Sequence, residues 1–239
     1  MTDLASAPPL VDVDAYVHTR ESLHAVAEQV LAAALYRATR KIGLRATGNG
    51  FGTPRFGQDE QARVEGVTLV HAVGERETRE PLTTIGAAAA MLGVEPGAPP
   101  VYEATTPLDV DRALDLDAAS AQVIGWLYDL GAAVLAQLAA DSESTPAAAD
   151  PPSPVQLWPE HFDLAADLGR PRANYGVSPG DAGHPEPYLY VGPWDDKPPD
   201  PFWNEPFGAS LPYADLVAAP NASEAALAFF RRGRSLLSP

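Results

Sequence analysis

The spacing of apolar residues changes period several times along the chain. Leu23, Val26, Ala27, Val30, Leu31, Ala34 and Leu35 recur at i, i+3, i+4 and i+7. That period predicts an amphipathic helix over about residues 20–40, with Thr19 or Ser22 as its cap. At Ile42 the period drops to two: Ile42, Leu44 and Ala46 alternate with Gly43, Arg45 and Thr47 as far as Gly48-Asn49-Gly50. Asn-Gly between extended runs is a hairpin signal, so Phe51–Phe56 reads as the return strand. Arg63–Val73 is rich in β-branched residues and apolar on both faces at its centre, which reads as one interior strand. A turn at 76–78 and a short strand at 79–82 follow. Thr83 or Thr84 then caps a short helix, IGAAAAML, that stops at Gly93.

After a proline-rich connection at 94–107, the longest helix is expected near 118–140, with Asp117 as its cap. Ile124, Leu127, Tyr128, Gly131, Val134, Leu135 and Leu138 form one apolar face; Val123, Trp126, Leu130 and Ala133 form a second. A helix apolar on two faces belongs largely in a core. Residues 141–154 (DSESTPAAADPPSP) read as a polar linker. Two or three strand-like runs fill 155–192, an irregular segment rich in proline and aromatics reaches about 213, and a last helix spans about 223–237. The order predicts an α+β fold, a mainly antiparallel sheet packed with about four helices. It forms either one domain or two halves, about 19–140 and 155–239, joined by the linker.

Composition narrows the function classes. At 239 residues the chain can bury a substantial core. A net charge of −16 argues against nucleic acid or an anionic membrane as partner, because both require basic patches. The basic cluster Arg231, Arg232 and Arg234 falls at a helix C-terminus, where cations offset the dipole. With no cysteine, thiol catalysis, disulfides and thiolate metal sites are excluded. There is no basic leader and no run of membrane-span length, so the expectation is a cytoplasmic protein, its oligomeric state left open.

Candidate chemistry concentrates between Val155 and Ala209, where large aromatics alternate with prolines. Reading 158–169 as one strand puts His161, Asp163 and Ala165 on one face and Phe162, Leu164, Ala166 and Leu168 on the other. The same alternation over 186–192 puts Glu186, Tyr188 and Tyr190 opposite Pro187, Leu189 and Val191. If the two strands are neighbours, His161, Asp163, Glu186, Tyr188 and Tyr190 share one face, close enough for a single bound group to touch several. Ser178-Pro179-Gly180-Asp181 suits a turn that leaves Asp181 and His184 at the rim. Glu186, locked between Pro185 and Pro187, is the leading catalytic carboxylate, with Asp163 and His161 beside it. The same three are the candidate ligands for a divalent metal, the one cofactor these residues would accommodate. Trp158, Tyr175, Asp181, His184, Tyr188, Tyr190, Trp194 and Trp203 are the candidate ligand-binding residues. The opposing reading is that this face is simply the solvent side of a half-buried sheet.

Other motifs are weaker. Asp109, Asp111, Asp115 and Asp117 lack the glycine and terminal glutamate of a calcium loop. Gly48-Asn-Gly-Phe-Gly52 precedes Thr53-Pro54 rather than a helix, so it is not a dinucleotide fingerprint. His24 is expected at the solvent edge of its helix and His71 as a hydrogen-bonded structural histidine. No nucleophile elbow is present.

The motifs WPEHFD (158–163), YGVSPGD (175–181), EPYLYVGPW (186–194) and FWN (202–204), with Arg20–Pro54, resemble an uncharacterised family of hypothetical proteins from high-GC bacteria. The block is also similar to a larger bacterial domain of unknown function, which tends to carry a second histidine where this chain has Glu160. The resemblance implies one architecture over most of the chain and no particular activity. The leading expectation is therefore a small-molecule-binding protein with an aromatic-lined pocket in its C-terminal half. A metal-assisted hydrolase using His161, Asp163 and Glu186 is the first alternative. An interaction module presenting Trp194, Phe202 and Trp203 is the second.

Overall fold

The computed structural model describes residues 3–143, 152–169 and 172–237. Its fold is α+β, with two antiparallel five-stranded sheets and helices packed against them. Most of the expected linker, residues 144–151, lies outside the described residues.

The first helix starts earlier than its apolar period suggests. Helix α1 (Val13–Val26) is capped by Asp12, whose carboxylate accepts from the Ala15 N–H at 3.0 Å. A π-helical segment (Ala27–Leu31) follows and runs into α2 (Ala32–Thr39). Thr19 and Ser22, the expected caps, serve another element: their hydroxyls accept from the Asp117 and Asp115 N–H groups, at 2.8 and 3.0 Å.

The first sheet is a meander of β1 (Arg45–Ala46), β2 (Gly50–Gly52), β3 (Glu60–Glu65), β4 (Thr68–Val73) and β5 (Arg76–Pro81), in that order. A hairpin forms here as expected, but its two-residue turn is Gly48-Asn49, at φ 75° and 56°, rather than Asn49-Gly50, and its return strand ends at Gly52. Arg63–Val73 is not one strand. Gly66, at φ 58°, reverses the chain so that Glu65 pairs with Thr68, and the run becomes two strands of a hairpin. The next reversal falls at Gly74-Glu75, pairing Val73 with Arg76, so the expected turn at 76–78 is instead the start of β5.

Helix α3 (Ile85–Leu92) is capped by Thr84, which accepts from the Ala87 N–H at 3.0 Å. Helix α4 (Ala118–Glu143) begins at Asp117, whose carboxylate takes the Ser120 N–H at 2.7 Å. Its Leu127, Leu130, Leu135 and Leu138 have no exposed surface. Two glycines let it lie close to both halves. A Cβ at Gly125 would sit 2.6 Å from the Asn49 backbone, and one at Gly131 would sit 2.5 Å from Val177. By length and composition this helix would also suffice to cross a membrane, contrary to the expectation that no run approaches that length. Most of its apolar window is, however, buried inside the protein.

The second sheet is built from β6 (Gln156–Trp158), β7 (Asp163–Leu168), β8 (Ala173–Ser178), β9 (Tyr188–Pro193) and β10 (Ala209–Pro212). Helices α5 (Tyr213–Ala218) and α6 (Ala222–Leu237) complete the described chain, and α6 packs on α4 and β9. The sheets meet where Leu44 and Leu157 exchange backbone hydrogen bonds of 2.8 and 2.9 Å. Beneath them a single hydrophobic cluster draws residues from both sheets.

Candidate functional site

On the outer face of the second sheet, alternation sets Asp163, Ala165 and Asp167 of β7 beside Asn174, Gly176 and Ser178 of β8. Tyr188, Tyr190 and Gly192 of β9 lie beyond these. Gly176 is the position that shapes this surface. A Cβ there would lie 2.5–2.6 Å from Tyr190 ring atoms, so the ring lies across the glycine and its hydroxyl donates to the Asp163 carboxylate. Tyr188 donates to Asp181 Oδ2 at 2.7 Å, while Asp181 Oδ1 accepts the N–H groups of Gly183 and His184. His184 packs on Tyr188 with ring centroids 4.8 Å apart and meets Glu205 at 3.2 Å.

His161, Asp163, Asp181, Tyr188, Tyr190 and Phe207 help line a cleft of about 330 Å³. A second depression of about 580 Å³ shares His161, Asp163, Asn174 and Tyr190 and extends along Trp158, Glu160, Asp167 and Trp194. The two form one groove.

Asp163 is its electrostatic centre. The side chain is 9% exposed, and Oδ1 accepts from no group among the described residues. Burial raises its carboxyl above the ordinary aspartate range; the Tyr190 hydrogen bond and the neighbouring His161 charge offset only part of this. Burial and the adjacent Asp163 push the Tyr190 phenol up as well. Burial would raise Asp181 too, but the Tyr188 hydroxyl and the two N–H groups hold it below the usual range, so it stays ionised.

Phe162, in the turn below Asp163, has φ 55°, a left-handed conformation that costs a non-glycine residue about 1–3 kcal/mol. The N-terminal half holds this turn. Tyr128 donates to the Phe162 carbonyl at 2.7 Å, Thr105 Oγ1 donates to the Glu160 carbonyl at 2.9 Å, and His24 lies stacked on the Phe162 ring at 5.1 Å. His24 Nε2 is also 2.9 Å from the Pro159 carbonyl, and burial lowers its pKa.

His24 belongs to a polar stripe at four-residue spacing on the first helix. Tyr16 donates to the Pro179 carbonyl at 2.7 Å and Arg20 to the Pro185 carbonyl at 3.0 Å. Glu28, fully buried in the π-helical segment, accepts the N–H groups of Thr105 and Thr106 at 3.0 and 2.8 Å. Proline carbonyls and loop amides that no strand satisfies are thus bonded from one helix face. The widened π turn fits this use, since such segments free backbone groups: the Gln29 carbonyl takes the Gly97 N–H at 2.9 Å.

The expected site residues divide accordingly. His161, Asp163, Asp181, Tyr188, Tyr190, Trp158 and Trp194 line the groove, and His184 stands at its rim. His161 is not on a strand. Pro159 begins a turn, Trp158 pairs with Asp163, and the stretch taken as one strand is a hairpin with His161 exposed at its tip. Glu186 precedes β9, is exposed and lines neither part of the groove, so the expected strand face does not include it. Tyr175 faces inward, 1% exposed, with its ring 6.0 Å from Phe230. Alternation alone places it with Ala173 and Val177. Trp203 packs beside Phe202, half-buried and away from the groove. The patch of Trp194, Phe202 and Trp203 therefore does not assemble as an exposed surface; Trp194 alone of the three is largely exposed, at 60%. His71 meets Glu60 at 3.0 Å, and His24 is half-buried, at the edge of a cavity of about 450 Å³ that it lines with His18, Ser22 and Thr105.

Sequence reasoning missed Glu160, Asn174, Ser178 and Phe207 in the groove, and the stripe behind it. The signal for the stripe is Tyr16, Arg20, His24 and Glu28 at i, i+4, i+8 and i+12. No protein-family profile, curated protein or solved structure matches the chain.

Proposed function

We propose that this protein binds a small molecule in the groove on the outer face of its second sheet. The observation that carries the reading is Asp163, a buried carboxylate with one oxygen that no donor among the described residues satisfies, beneath a groove walled by Trp158, Tyr188, Tyr190, Trp194 and Phe207. A few convergent polar groups among aromatic walls, on a rigid sheet, are the usual makings of a ligand site. A second reading, acid–base catalysis by Asp163, is favoured by its raised carboxyl and its bond to Tyr190. A metal-assisted reaction through His161, Asp163 and Glu186 has less support, because Glu186 lies outside the groove. Among the described residues no group of three His, Asp or Glu is arranged to hold an ion.

The test is a fragment library screened by thermal shift and ligand-observed NMR against the wild type and Asn174→Trp. Asn174 lines both parts of the groove from the middle of the sheet face, so a tryptophan there fills the groove without entering the core. A fragment present at about 100 times its Kd stabilises by about 2.7 kcal/mol. Hits abolished by Asn174→Trp support the reading. A screen without hits, or hits indifferent to that substitution, overturns it.

A further inference from the structure

The two sheets treat charge on their outer faces in opposite ways. On the first, Arg63, Glu65, Glu77 and Arg79 form a closed lattice, with contacts of 2.5–3.5 Å that match each carboxylate to a guanidinium. On the second, Glu160, Asp163, Asp167 and Asp181 line the groove, and no lysine or arginine among the described residues does. Arg172 reaches Asp167 at 3.8 Å and stacks on Trp194, while Asp181 takes three hydrogen bonds and has His184 Nδ1 3.9 Å away, which leaves Asp163 and Glu160. Asp163 and Glu160 each keep a buried oxygen with no donor among the described residues. A buried carboxylate left so is costly unless something supplies the opposite charge.

Resting on the small-molecule reading above, we infer that the ligand of this groove is an organic cation, an ammonium or guanidinium on an apolar body. A cation beside Asp163 favours its ionised form and supplies the partner that this form lacks, and the rings of Tyr188, Tyr190 and Trp158 attract the same charge through their quadrupoles. A bare divalent ion is the poorer match, because aromatic walls offer it no ligands and no three carboxylate or imidazole groups among the described residues converge. An anion would be repelled by the ionised Asp181 and would disfavour ionisation of Asp163.

The experiment is a titration of the full chain, followed by ¹H–¹⁵N NMR at neutral pH, with benzylammonium, benzyl alcohol and benzoate, together with the fragment hits sorted by charge. The expected result is shifts at Gly176, Tyr190 and Gly192. Benzylammonium should bind at least about tenfold tighter than the alcohol (about 1.4 kcal/mol), and benzoate should not bind. Asp163→Asn should erase that preference, so that benzylammonium and benzyl alcohol bind it equally. If that variant does not fold, Asp181→Asn at the rim should reduce the preference in the same direction. Equal binding of the three probes, or fragment hits dominated by neutral or anionic compounds, overturns the cation assignment and leaves the groove as a site. Absence of any binder in the groove overturns both.

Discussion

Replacing Asp163 by asparagine tests the electrostatics at the centre of the groove, because its effect on stability has a pH signature of known sign. Asp163 is 9% exposed and burial raises its carboxyl in the folded state. Between the unfolded value, about 3.9, and that raised value, the folded chain holds a proton that the unfolded chain has released. Wild-type stability therefore falls as pH rises through this window, by at most about 1.4 kcal/mol per pH unit for one proton. Above the folded value the penalty is constant. Asparagine carries no such proton, so the stability of Asp163→Asn relative to wild type should climb with pH from about 4 and then level off.

A pH-independent offset is superposed on that climb. Tyr190 can still donate to the amide oxygen, but the new NH₂ finds no acceptor where Oδ1 has no partner, which costs about 1–3 kcal/mol. The variant should thus be less stable at pH 4 and should recover, or overtake wild type, toward neutral pH. Urea unfolding followed by tryptophan fluorescence between pH 4 and 8 measures this, provided the m-values agree. Glu160, His161, Tyr188 and Tyr190 face the carboxylate, so His161→Asn in both backgrounds separates the imidazole's contribution. Parallel pH curves for wild type and Asp163→Asn would refute the reasoning, since they require the same carboxyl affinity in the folded and unfolded states.

Leu127→Ala and Leu135→Ala, both at fully buried positions of α4, should each cost about 2–5 kcal/mol in equilibrium unfolding; losses below about 1 kcal/mol would mean that α4 is peripheral. Gly176→Ala should displace the Tyr190 ring, destabilise by about 1–3 kcal/mol and weaken the Tyr190–Asp163 bond, seen as an altered pH profile. Glu28→Gln should cost about 1.5–3 kcal/mol and speed amide exchange at Thr105 and Thr106; unchanged exchange would show that Glu28 does not hold that loop. His24 is half-buried, and the loss of water around its ring lowers its pKa, so it takes up a proton on acid unfolding. Its contribution is present at neutral pH and lost as pH falls, and His24→Gln should flatten the stability curve below about pH 6.5.

The fold class was legible because long-range order here follows local pattern. The two helices capped by Thr84 and Asp117 carry their caps in the sequence, and the hairpin after β1 carries its turn there too, one residue earlier than the Asn-Gly signal, at Gly48-Asn49. The errors fall where one residue outweighs a period. Gly66 splits a run that reads as one strand, and Pro159 splits another. The second split matters for the site. It lifts His161 off the sheet, yet leaves Asp163, Tyr188 and Tyr190 on the predicted face, because Asp163 begins the strand after the turn in the same phase. Two flanking prolines single out Glu186 in the sequence, but those prolines hold it in the approach to β9, where the chain has not yet joined the ladder.

What remained illegible has a common cause. Apolar periodicity identifies the face of α1 that packs, and treats the polar residues between as solvent-facing. Here Tyr16, Arg20, His24 and Glu28 form a second inward stripe, because the loops they meet begin at prolines 159, 179 and 185 and at Thr105. A proline has no N–H, so the chain around it cannot close its own backbone pairs, and its carbonyl is left to accept from elsewhere. A helix face bearing donors at four-residue spacing supplies several such carbonyls at once. The groove's rigidity is thus set by residues 135 to 165 positions away in sequence, and a reading that treats the C-terminal half as self-sufficient must miss them. The strained Phe162 backbone follows from the same arrangement: bonded through Tyr128 and stacked against His24, it is held by contacts that only the assembled chain provides.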